Sequence, residues 1–290
     1  MREYVILTDS CCDLPAQTAQ ETGLAVLPLS LEMGGRTYRN YLDGREIGFH
    51  DFYERIRAGE TATTSAVSVG DFESAMTAAV EAGLDVLCLC FSSALSATYQ
   101  SAVIAAEELS AAHPEARLLV VDSLCASLGQ GLFCYLCAQE KARGRTMEEV
   151  YQFALDNRGR VCHWFTVDDL NHLKRGGRIS AATALFGTML AIKPVLHVDD
   201  EGRLTAVSKA RGRKASLTAL VDRMEKTALD PAHQTVFISH GDCLPDAEFV
   251  AQEIRRRMGT TDIRINFIGP VIGNHAGPGT VALFFLGTQR

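Results

Sequence analysis

The stretch 85-DVLCLCFSSALSATYQSAVIAAEELSAA-112 decides the fold. Its first seven residues are almost wholly apolar, too short for a buried helix and continuous enough for a strand covered on both faces. Ser92, Ser93 and Ser96 then turn the chain, and from Ala97 the apolar positions recur with helical spacing. The reading is a strand followed directly by a helix. Working outward, the same unit repeats. 4-YVILT-8 is a strand, with Asp13 read as a cap and Pro15 opening a helix. 25-AVLPLSL-31 is a second strand, and 46-EIGFHDFYERIRAG-59 and 71-DFESAMTAAVEAG-83 are helical. 117-RLLVVDS-123 is a strand, with a long helix from about 125 to 143. Such βα repetition predicts a mainly parallel sheet with helices on both faces.

After about residue 160 the pattern changes. 161-VCHWFTV-167 is a strand, and 168-DDLNHLKRGGRIS-180 a short helix broken at Gly176-Gly177. 192-IKPVLHVDDEGRLTAVSKA-210 is a hairpin turning at Asp200-Glu201-Gly202, with a helix near 211–228. The strand 235-TVFISHG-241, the helix 245-PDAEFVAQEIRRRMG-259 and two further strands complete the chain. Hairpins mixed with helices predict a second, mixed α/β domain. The division is drawn at 1–160 and 161–290.

The chain has 290 residues and 47% hydrophobic composition, enough for two domains with real cores. A net charge of −7 excludes nucleic acid as a main partner. No apolar run is long enough to span a membrane, so no integral segment is expected, while transient membrane contact stays open. Nine cysteines without a secretory leader point to a reducing cytoplasm, and an odd count opposes a full disulfide framework. Cys134-x-x-Cys137 finds no partner pair to complete a zinc site, so no metal and no cofactor is expected.

Chemistry should gather at the carboxyl ends of the strands. There the sequence offers Asp9-Ser10, Thr63-Thr64-Ser65, Ser96 and Asp122-Ser123. Helix capping accounts for Ser10, Ser68 and Ser123. At Thr64 and Ser96 capping and anion binding can coexist, because a helix N-terminus attracts negative charge. The stretch 267-FIGPVIGNHAGPGTVALFF-285 places His275 on what reads as a glycine-rich bend between two strands. There is no P-loop and no dinucleotide fingerprint, and Ser96 lacks the G-x-S-x-G elbow. Residue chemistry alone ends at an α/β protein binding a small anion at hydroxyl-rich loops, or a hydrolase pairing Ser96 with His275.

Eight segments together resemble the DegV family of bacterial fatty-acid-binding proteins. They are ILTDSCCDLP, TTSAVSVGDFESA, SSALSATYQSA, VVDSLCASLGQG, DLNHLKRGGRIS, IKPVLHVDDEGRL, KARGRKAS and IGPVIGNHAGPG, in family order across nearly the whole chain. The resemblance implies one long-chain fatty acid in an internal tunnel between the two domains, its carboxylate held by Thr64, Ser96 and His275. Ser65, Asn274 and Gly273 would support that site. It implies no catalysis by the chain itself, which would present the fatty acid to a separate fatty acid kinase, with Arg178 and Arg211 serving docking or transfer. The chain departs from the family at Ala66-Val67, where Gln-Pro is usual, and at Ala97, where glycine follows the binding serine.

Overall fold

The computed structural model describes residues 2–179 and 192–290. Ser180, the last residue of the GGRIS segment, lies outside them. Strand β1 (Tyr4–Asp9) sits inside a parallel four-stranded sheet of order β2-β1-β6-β7, with β2 at Leu24–Leu27, β6 at Asp85–Cys90 and β7 at Leu118–Asp122. Every residue of β6 is buried, which explains its unbroken apolar reading. Its side chains alternate between two cores. Val86, Cys88 and Cys90 face helices α3 (Val69–Glu81) and α4 (Thr98–Ala112). Leu87 and Leu89 face α5 (Leu128–Ala142) and α6 (Met147–Asn157).

The second half builds a six-stranded mixed sheet of order β10-β9-β8-β13-β11-β12. Its strands are β8 (Val161–Thr166), β9 (Ile192–Val198), β10 (Leu204–Arg211), β11 (Val236–His240), β12 (Ile263–Phe267) and β13 (Val281–Leu286). Helices α8 (Arg213–Thr227) and α9 (Leu244–Met258) cover one face, burying Cys162, Trp164, Val281, Leu283 and Phe285. The alternate residues of β8 and β13 turn the other way. His163 pairs with Phe284 and Phe165 with Ala282, and this face looks toward the first half of the chain.

Five sequence expectations are corrected. The run 25–31 is two strands, because Pro28 has no N–H to continue a ladder. β2 stops at Leu27, and β3 (Ser30–Met33) enters a separate antiparallel sheet of order β4-β3-β5, with β4 at Arg36–Arg39 and β5 at Ala62–Ser65. Helix α2 (Phe49–Arg57) packs on it through Phe52, Tyr53 and Ile56. Thr64 therefore lies on a strand and not on a strand-to-helix turn. Next, 270–276 is helical: α10 (Pro270–Ala276) starts with proline in its first turn and ends at Gly277, whose φ of 83° suits glycine. Finally, Asp13 is not the cap of helix α1 (Ala16–Glu21), which follows Pro15. Ser10 is no cap either; its Oγ accepts from the Leu29 N–H and Asn40 Nδ2.

Asp13 instead ties the halves together. Its Oδ1 accepts the Gly269 N–H at 3.0 Å and its Oδ2 the Ser127 hydroxyl at 2.6 Å. Complete burial raises its pKa to about 7, against the lowering pull of those two donors. A folded pKa above the unfolded one means stability is full below the unfolded value and is lost as pH rises through about 7. Asp13→Asn should match the parent's stability near pH 4 and exceed it near pH 8, by about 1–3 kcal/mol. Denaturant melts at the two pH values check this; a pH-independent difference contradicts it.

Candidate functional site

Between the inner face of β8 and β13 and the loops of the first half lies a cavity of about 260 Å³. His163, Phe165, Ala282 and Phe284 form one wall, and Leu29, Phe91 and Leu95 line it from the first half. Its few polar groups are already occupied. His163 Nδ1 lies 2.9 Å from the Val161 carbonyl while Nε2 accepts the Ala126 N–H at 3.1 Å, so the ring is the Nδ1–H tautomer. Burial, with Arg290 nearby, drives its pKa well down, and it stays neutral. The Thr280 hydroxyl donates to the Ala276 and Gly277 carbonyls, and burial keeps the Cys11 thiol protonated. The interior asks for an apolar occupant.

Three of the residues marked in the sequence line this one cavity. Thr64 comes from β5, Ser96 from the turn before α4, and His275 from the last turn of α10. Thr64 Oγ1 lies 2.8 Å from His275 Nε2. Ser96 Oγ lies 2.9 Å from Thr98 Oγ1 and accepts the Thr98 N–H at 3.3 Å, placing it on the N-terminus of a fifteen-residue helix, where the dipole favours an anion. Burial first, and Arg178 second, lower the His275 pKa to about 4, so its imidazole is neutral at pH 7. Its Nδ1 is buried without a hydrogen-bond partner.

Ser65 and Arg178 also line the cavity. Arg178 Nε donates to the Leu95 carbonyl at 3.1 Å and Nη1 to the Gly176 carbonyl. Asn274 stands just outside, donating to the Ala62 carbonyl at 3.1 Å. Gly273 is a packing residue: a Cβ there would lie 2.9 Å from the Phe52 ring and also crowd the Tyr53 hydroxyl. Arg211, at the end of β10, is exposed and does not line the cavity.

A second chamber of about 320 Å³ shares Thr64, Arg178 and His275 with the first and is polar, lined by Thr63, His172, Arg175 and Asn274. The three shared residues thus lie between an apolar space and a polar one, whose charged lining is Glu60, Arg175 and Arg178. Sequence reading missed His163, His172, Arg175 and this second chamber; a histidine in an apolar strand reads as ordinary core, and nothing in the spacing brings 172–178 beside 274–275. As for metals, the described residues hold one three-ligand cluster, His50, Glu54 and Asp242, on the surface. The Arg57 guanidinium already pairs with both of its carboxylates. All nine cysteines are free thiols.

The model of the DegV family matches residues 3–288. A DegV domain-containing protein of Clostridium perfringens is 44% identical over all of this chain and 99% of its own. Among solved structures, a DegV family protein of Thermus thermophilus described as binding fatty acid is 31% identical, with a TM-score of 0.88 over 99% of this chain and 100% of the other. A Thermotoga maritima protein whose structure revealed a fatty-acid-binding function is 30% identical, with a TM-score of 0.85 over 98% and 99% of the two chains.

Proposed function

This chain belongs to the DegV family, and on that premise we propose that it binds one long-chain fatty acid, its tail in the apolar cavity and its carboxylate on Thr64, Ser96 and His275. The observation that carries the reading is the coincidence of a largely apolar cavity, whose His163 and Thr280 are already hydrogen-bonded within the protein, with Thr64, Ser96 and His275 in its lining. Each buried methylene contributes about 0.8 kcal/mol, so the tail supplies most of the affinity. A bare carboxylate at the cavity mouth would be costly without donors. Each charge-assisted bond there contributes about 1.5–3 kcal/mol.

The ligand sits between the N-terminal domain (1–160) and the C-terminal one (161–290), and the chain works in the reducing cytoplasm as a carrier without catalysis of its own. Its head group faces the polar second chamber, within reach of a partner fatty acid kinase that adds phosphate to the carboxylate. The hydrolase alternative has less support. His275 Nε2 meets Thr64 and not Ser96, no carboxylate orients Nδ1, and Ser96 is bonded to Thr98.

Denaturing extraction of the purified protein followed by mass spectrometry should recover an acyl chain in near-stoichiometric amount. Recovery of none, with no uptake of added fatty acid, would contradict the assignment. Arg211 is the docking residue easiest to isolate, being exposed and outside the cavity. Arg211→Gln should keep fatty-acid affinity within about twofold, as for most surface changes. It should slow phosphorylation by the kinase about tenfold through weaker charge-steered docking. An unchanged phosphorylation rate would remove that role.

A further inference from the structure

Helix α7 (Leu170–Arg175) and helix α10 meet through two glycines and two histidines. Gly176 closes α7, and a Cβ there would overlap His275 Nδ1. Gly277 closes α10, and a Cβ there would lie 2.6 Å from His172 Cδ2. Each helix thus seats its histidine where the other's terminal residue can have no side chain. Gly176 has an ordinary helical conformation, so backbone freedom does not explain it; close approach of the ring does. Its neighbours hold it firmly. The Gly176 N–H donates to the His172 carbonyl at 3.1 Å, and Arg178 Nη1 donates to the Gly176 carbonyl. His172 is itself held: its Nδ1 accepts from Arg175 Nη2 at 2.9 Å.

We infer that Gly176 and Gly277 are positioning residues whose reciprocal histidine–glycine interlock holds His275 as the Nε2–H tautomer, with Nε2 at the mouth of the cavity. This rests on the proposed role of His275 toward the carboxylate. The tautomer follows from the surroundings. Nδ1 is buried against Gly176 with no acceptor in reach, and a hydrogen there would be an orphaned donor. The proton therefore belongs on Nε2, which donates to Thr64 Oγ1 at 2.8 Å and is the one ring hydrogen that can turn to an incoming carboxylate. Thr64 then keeps its own hydroxyl hydrogen for an incoming carboxylate. In the opposite tautomer Thr64 would spend that hydrogen on Nε2, and the mouth would lose a donor.

Long-range proton–nitrogen NMR of the unaltered protein at pH 7 should show His275 with a lone pair on Nδ1 and hydrogen on Nε2. A hydrogen on Nδ1 overturns the inference. In Gly176→Ala the methyl displaces the ring, so the NMR pattern should become a mixture of tautomers. Palmitate affinity should fall about tenfold or more, the worth of one charge-assisted bond. Palmitate methyl ester, which has no carboxylate, should bind with affinity within about twofold of the parent. Palmitate binding as tight as the parent's would also overturn it. If Gly176→Ala does not fold, the spectrum of the unaltered protein decides alone. His275→Ala separates the two claims. Unchanged palmitate affinity there removes the head-group role itself, whereas a loss there with none in Gly176→Ala removes only the interlock.

Discussion

Ala282→Phe should bind long-chain fatty acids about a hundredfold more weakly than the unaltered protein. Ala282 lies on β13, buried and directly opposite Phe165, on the wall of the apolar cavity. A phenyl ring there fills space that the proposed tail would use. Excluding three or four methylenes at about 0.8 kcal/mol each removes about 3 kcal/mol, which is about two powers of ten. Because the ring enters space that is already open, the fold should tolerate it. Overpacking costs about 1–3 kcal/mol only where room is lacking. Fluorescent fatty-acid displacement, with a melting curve as control, reads the effect. An unchanged affinity in a folded variant places the tail elsewhere.

Thr64→Val combined with His275→Ala should cost about a hundredfold toward palmitate while altering methyl ester binding less than about threefold. Each lost charge-assisted bond is worth about 1.5–3 kcal/mol. The two residues bond each other across 2.8 Å, so their losses will not simply add, and about 3 kcal/mol is expected for the pair. The comparison of acid with ester matters more than the size of either number. Equal losses for the two ligands would mean that the changes act through packing and not through the head group. Because His275 is held neutral down to about pH 4, acidification from pH 8 to 6 should not create a cation at this position.

Much of the architecture was legible because its signals are local. β6 reads as a strand since both its faces are buried, and α4 follows it at once. The hairpin at Asp200–Gly202 announces itself through a glycine, whose φ is 77°. What was not legible depends on partners distant in sequence. Glycines at 269, 273, 277 and 279 make the segment read as a bend, yet residues 270–276 form a helix packed on α2, where Gly273 admits the rings of Phe52 and Tyr53. The small third sheet escaped notice because its strands have four residues each and draw their order from contacts with α2. Asp13 looked like a helix cap, and only the fold brings Ser127 and Gly269 to its carboxyl group.

For the candidate site, residue chemistry alone picked out hydroxyls at strand ends and one histidine among glycines. The family resemblance then grouped Thr64, Ser96 and His275. All three line one cavity, drawn from β5, the turn before α4 and α10. Arg211 does not join them, whereas Arg178 stands between the two chambers. The histidine–glycine interlock was invisible for a simple reason: Gly176 and Gly277 look like ordinary helix terminators until their spatial neighbours are known.

The most direct test of an acyl chain lying inside with its carboxylate at the cavity mouth is a crystal structure of the protein with palmitate. Continuous density should run past Phe165 and Ala282 and end in a carboxylate among Thr64, Ser96 and His275. Side chains filling that space, or a fatty acid lying with its carboxylate at the opposite end, would contradict the account.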